Sequence, residues 1–196
     1  MTTFRMLKGA AVALAAALVV GAVGPAHAAP APAEKIAAQA KKAYDDAQFE
    51  RAADLYLAAW RADPKRVALV YAAARASHQG GKLDRAEELY LQALKSGELA
   101  PELRGKAQEH LLTIATRRAE TRAEEAESLQ RAGKYADAAE VWRSAAAVLP
   151  SRVIYLCRAG RAAKLAGDLR GALRDYTACR DSAPVGSGDR AEAERV

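Results

Sequence analysis

The sequence predicts an all-α fold: an α-solenoid of four helix-turn-helix repeats, with an 18-residue helical insertion between repeats two and three. Three observations lead there. Alanine is abundant, β-branched residues are few, and Gly and Pro are sparse inside segments, a composition that favours helices over strands. Residue types recur with a period of 34, in the range where repetition means stacked units. Each period also carries a reversal at the same place, at Ala47-Gln48, Gly81-Lys82, Gly133-Lys134 and Gly167-Asp168, where one helix must stop and the next begin.

In chain order, the first element is a targeting segment. Arg5 and Lys8, with no acid among the first nine residues, precede an apolar stretch from Ala10 to Val23 and then Gly24-Pro25-Ala26-His27-Ala28. Such an order is that of a secretory signal peptide, residues 1–28, with cleavage after Ala28 at an A-x-A site. Fourteen apolar residues fall short of the roughly 20 that span a bilayer, which weighs against a retained anchor. No Cys lies near the site to carry a lipid. Export implies a periplasmic or secreted protein that meets the membrane only in transit.

Residues 29–33 read as a linker and 34–98 as repeats one and two. Ala52, Leu55 and Tyr56 recur as Ala86, Leu89 and Tyr90, with Phe49 matched by Leu83 and Ala59 by Ala93. Residues 119–184 read as repeats three and four, in which Tyr135, Ala138, Trp142, Ala145 and Pro150 recur as Leu169, Ala172, Tyr176, Cys179 and Pro184. Four of the ten aromatics beyond Ala28 thus share one column, which an alanine-rich composition does not explain. Between the pairs, residues 99–118 form the insertion. Pro101 suits a first helical turn, and Leu103, Ala107, Leu111, Ile114 and Ala115 make one apolar stripe. This helix either runs unbroken to Arg131, about 45 Å at 1.5 Å per residue, or splits near Thr116. After Pro184 the run Val-Gly-Ser-Gly breaks structure, so residues 185–196 are expected to be a flexible tail that caps the last repeat little.

The repeat resembles the tetratricopeptide-repeat (TPR) family. The family's small first-helix residue is matched by Ala40, Ala74, Ala126 and Gly160. Its Ala-x-x-x-aromatic is matched by Ala52…Tyr56, Ala86…Tyr90, Ala138…Trp142 and Ala172…Tyr176, and its closing proline by Pro64, Pro150 and Pro184. The second repeat departs, with Glu98 in the proline's place. The resemblance implies a right-handed solenoid and a scaffold or adaptor that binds a protein or peptide in a concave groove lined by first helices. Carried over by column, the groove candidates are Lys41 and Tyr44; Tyr71, Arg75 and His78; Glu127 and Arg131; and Arg161 and Lys164. Mostly cationic with two tyrosines, they suit an acidic or C-terminal peptide. One subclass of the family clamps acidic chaperone tails with Lys, Asn and Arg, but Ala37 and Ala72 stand at two of those places, which argues against that ligand.

Catalysis has little to stand on. Beyond residue 28 there are only His78 and His110, and no HExxH, GxSxG, CxxC or phosphate-loop pattern occurs. No cofactor and no metal are expected, and His110, beside the apolar stripe of the insertion, is given no function. Trp60 and Trp142 read as core. Cys157 and Cys179 face each other by residue count across the turn at Gly167. They read either as a disulfide or as two small buried side chains. The formal charge of +6 falls when Arg5 and Lys8 are removed, leaving 28 basic against 24 acidic residues, too modest and too dispersed an excess to indicate nucleic acid. Residues 151–184 hold seven basic and three acidic residues, either a basic end for an acidic partner or an ordinary solvated face. Two other classes stay open: a self-assembling structural protein of the envelope, and an accessory subunit that meets an enzyme through the inserted helix.

Overall fold

A computed structural model describes residues 32–195; the signal peptide expected over 1–28 lies outside the described residues. Four antiparallel pairs follow one another: α1 (Pro32–Asp45) with α2 (Phe49–Ala62), α3 (Ala68–Gln79) with α4 (Leu83–Lys95), α5 (Pro101–Arg131) with α6 (Tyr135–Val148), and α7 (Ile154–Leu165) with α8 (Leu169–Ser182). A short α9 (Gly188–Ala193) ends the described chain. Each helix packs on its predecessor and its successor, and no strand occurs among the described residues, so the protein is a solenoid of helical repeats.

The four reversals are the same structure made four times. Ala47, Gly81, Gly133 and Gly167 all have positive φ, between 57° and 83°. In each case the following N–H reaches back five residues: Gln48 to the Ala43 carbonyl at 2.8 Å, and Lys82 to Ser77, Lys134 to Leu129 and Asp168 to Ala163 at 2.9 Å. This Schellman closure satisfies carbonyls that the helix end would leave without partners. Glycine meets the left-handed requirement at three turns; Ala47 meets it at the cost of its Cβ. Of the N-caps that follow, only Asp168 accepts a bond with its side chain, from the Gly171 N–H at 2.9 Å.

Small side chains let each pair close. Ala40, Ala74, Ala126 and Gly160 are buried, as are Ala52, Ala86, Ala138 and Ala172 opposite them. In the fourth repeat the approach is closest: a Cβ on Gly160 would lie 2.9 Å from Cδ2 of Tyr176. The aromatic column is less uniform, since Tyr90, Trp142 and Tyr176 are buried but Tyr56 is only half-buried.

Helix α5 is unbroken. Its 31 residues span about 46 Å at 1.5 Å per residue, and they belong to two cores. Ala107 and Ile114, with Leu103 and Leu111, pack with Val70, Tyr71, Leu89, Tyr90 and Ala93 of repeat two. Ala119, Ala123 and Ala126 pack with Trp142, Tyr155 and Tyr176 of the second half.

At both ends of the described chain the expected boundaries shift. Of the linker expected over 29–33, Pro32 and Ala33 belong to α1, and 29–31 lie outside the described residues. The flexible tail expected over 185–196 is corrected more substantially: Gly188–Ala193 form α9, which packs on α7 and α8 with Ala193 against the second core. A six-residue helix has no stability of its own. It forms because α7 and α8 offer a surface, and it partly caps the last repeat.

Ion pairs tie consecutive units together. Arg85 meets Asp54 at 2.5 Å, Lys82 meets Glu50 at 2.8 Å, Arg118 meets both Asp84 and Glu87, Arg143 meets the buried Asp175 at 2.9 Å, and Arg158 meets Glu127 at 2.7 Å. Most members are exposed enough to contribute only about 0–1 kcal/mol each. Their value lies in fixing which residues face the neighbouring unit.

Candidate partner-binding face

The first helices α1, α3 and α5 share a face, and its best-defined part lies between α1 and α3. Arg75 lies over the ring of Tyr44, its Cζ 4.7 Å from the centroid, and its Nε donates to the Tyr44 hydroxyl at 3.1 Å. Tyr44 is itself held edge-on by Phe49, centroid to centroid 5.4 Å. These contacts orient an exposed guanidinium by a ring and a phenol, and the hydrogen bond to Tyr44 holds its pKa above the usual arginine value. Among the described residues no carboxylate pairs with Arg75. Lys41, Asp45, Tyr56 and Ala72 complete a cleft of 250 Å³ around this pair. Lys41 is paired with Asp45 at 2.6 Å, so Arg75 supplies the uncompensated charge.

The other expected groove residues have different surroundings. Tyr71 is a core residue at 6% exposure, so it supports the face from beneath and does not line it. His78 is half-buried and packs on α4 and α5. Glu127 is engaged by Arg158, Arg131 is exposed at the end of α5, and Arg161 and Lys164 are exposed on α7. The structure brings Lys41, Tyr44 and Arg75 together and does not join Arg131, Arg161 and Lys164 to them.

Two residues escaped the sequence reading. Tyr56, read only as a member of the aromatic column, is half-buried and lines the cleft. His110, given no function, stacks on Tyr90 at 5.2 Å and meets His78 edge-on at 5.4 Å, with Tyr71 at 6.4 Å. Spacing could not place His110, because the insertion has no counterpart one period away.

In the second half, a disulfide joins Cys157 and Cys179 across α7 and α8, with their Cα atoms 5.4 Å apart. The carbonyl of Asp189 in α9 lies over both sulfurs, at 3.5 and 3.7 Å. The bridge is therefore buried under α9 and structural. Trp60, whose Nε1 donates to the Pro64 carbonyl at 3.1 Å, packs partly buried against the first core, and Trp142 is fully buried in the second. Among the described residues no group of three His, Cys, Asp or Glu could hold a metal ion, and no helix is long and apolar enough to cross a membrane.

No family model matches the chain, and no curated protein matches it. Among solved structures it is similar to YrrB, described as a TPR protein with an unusual peptide-binding site, at 18% identity over 84% of this chain and 92% of that one, TM-score 0.36. It is also similar to the TPR domain of P58(IPK), at 15% identity over 83% of this chain and 54% of that one, TM-score 0.40. A third is the TPR2AB domain of yeast Sti1, solved as a pHSP90 complex, at 17% identity over 78% of each chain, TM-score 0.29. These likenesses concern the helical-repeat fold alone.

Proposed function

We propose that the protein is an exported scaffold or adaptor, periplasmic or secreted, that binds an acidic protein or peptide segment through the α1–α3 face and performs no catalysis. One observation carries the reading: Arg75 is oriented by Tyr44 and has no carboxylate partner, while the arginines that bridge other units do. A guanidinium held in this way loses little freedom when a carboxylate docks on its remaining N–H groups. The half-buried Tyr56 and the ring of Tyr44 offer apolar area beside it. Export rests on residues 1–28, and a disulfide-bonded chain suits an oxidising compartment.

The experiment is affinity capture from the organism's own envelope extract with wild type, Arg75→Glu and Lys164→Glu. A partner lost with Arg75→Glu and kept with Lys164→Glu is the expected result. Equal recovery by all three would move the site elsewhere. Tyr71 is unsuited to such a test because truncating a buried ring damages the core.

A second reading, self-assembly, has one observation in its favour. Leu169 and Leu173, four residues apart on α8, are each 69% exposed, on the helix that a further repeat would cover. Light scattering over a hundredfold concentration range separates the two readings. A constant monomer mass removes self-assembly, and growth abolished by Leu173→Glu supports it.

A further inference from the structure

The first half of α5 is docked on repeat two by an apolar stripe and, beside it, by a cluster of four rings. His110 of α5 stacks on Tyr90 of α4, and His78 of α3 stands perpendicular to His110 and edge-on to Tyr90. Tyr71 closes the cluster from α3, 5.8 Å from Tyr90. This is the place where two titratable imidazoles, on different helices, form part of a packing joint.

We propose that His78 and His110 are an acid-operated latch: neutral, they hold the first half of α5 on repeat two; protonated, they release it and loosen the joint between the two halves of the solenoid. The charges around the pair give the direction. From α3 they face Arg75 and Tyr71, from α4 Tyr90, and from α5 Arg117 and Glu109. On α4, Asp84 and Glu87 are both engaged by Arg118. A doubly protonated pair would therefore hold two cations beside two arginines, with Glu109 as the one acid among the groups that act on it.

Burial, the neighbouring His110 and Arg117 hold the His78 imidazole below the usual histidine range. Burial and Arg75 lower His110, and Glu109 offsets part of this. Because both folded-state values are lowered, the unfolded or undocked state binds more protons. The latch is then fully effective above about pH 6.5, the ordinary histidine value, and is lost as pH falls through the lowered values. Release would not unfold the second half, whose core begins at Ala115 and Ala119 on the same helix.

The test is hydrogen exchange of the purified protein at pH 7.5 and 5.0, corrected for intrinsic exchange rates. The expected result is an opening of residues 103–114 that rises roughly tenfold at pH 5.0, about 1.4 kcal/mol, with residues 135–148 unchanged. In His78→Phe/His110→Phe the pH response of residues 103–114 should vanish. Should that variant fold poorly, His78→Gln and His110→Gln singly should each remove part of the response. Equal protection of the wild type at both pH values would overturn the latch. So would a response that persists in the variants or that spreads equally over 135–148.

Discussion

Two arginine–aromatic pairs invite comparison, one in each half of the solenoid. In the second half Arg158 lies 4.9 Å from the Trp142 ring and pairs with Glu127 at 2.7 Å, while the indole N–H donates to Gln130 at 3.0 Å and Tyr155 packs on the ring. In the first half Arg75 lies equally close to Tyr44 but lacks the carboxylate. One arrangement is closed in charge, hydrogen bonding and packing; the other is closed in packing and by the Arg75–Tyr44 hydrogen bond but not in charge. The second half is stapled further by the disulfide and by α9. The same arrangement is thus closed by a carboxylate in one half and carries none in the other.

The comparison can be broken first at the aromatic column. Tyr90→Ala should destabilise by about 3–5 kcal/mol, since the ring is fully buried and carries His110. Tyr56→Ala, at a half-buried ring, should cost roughly half as much. Urea denaturation of both variants checks this, and equal losses would mean that the first repeat is packed as tightly as the second.

Next in size is the disulfide. Reduction, or Cys157→Ser/Cys179→Ser, removes a crosslink between residues 22 apart, worth about 3 kcal/mol on the chain-entropy account. Hydrogen exchange should show the loosening in α7, α8 and α9 while α1 to α4 keep their protection. Uniform loosening would mean that the halves are not separable.

Smaller effects sharpen the picture repeat by repeat. Gly160→Ala should cost about 1–2 kcal/mol, because a Cβ meets the Tyr176 ring at 2.9 Å and overpacking outweighs the gain in helix propensity. Ala47→Gly should stabilise by about 0.5 kcal/mol, since φ is 57° there and the relief of Cβ strain exceeds the entropy glycine adds to the unfolded chain. Thermal melts of both variants suffice.

Much of the fold was legible because it is periodic. The 34-residue spacing placed all four turns, and the left-handed residue falls at the expected position in each. The alanine and aromatic columns were found in the same way. What was missed lies where periodicity ends or where tertiary contact decides. Helix α9 is too short to read from propensity and exists by docking over Cys157 and Cys179. His110 sits in an insertion with no partner column. Glu127 read as a groove residue although Arg158 engages it. A signal for that pairing was present: acid and arginine recur 31 residues apart at Asp54–Arg85, Glu87–Arg118 and Glu127–Arg158. By the same spacing Arg75 falls opposite Tyr44 in place of an acid.

The most direct test of the open first half is an array of acidic peptides probed with the purified protein as wild type, Arg75→Glu and Lys164→Glu, two variants with the same charge change in different halves. The account expects a set of peptides held by wild type and by Lys164→Glu and lost, by at least about tenfold or 1.4 kcal/mol, with Arg75→Glu. Equal weakening by the two variants would show nonspecific charge attraction, and retention by Arg75→Glu would contradict the assignment of the binding face to α1 and α3.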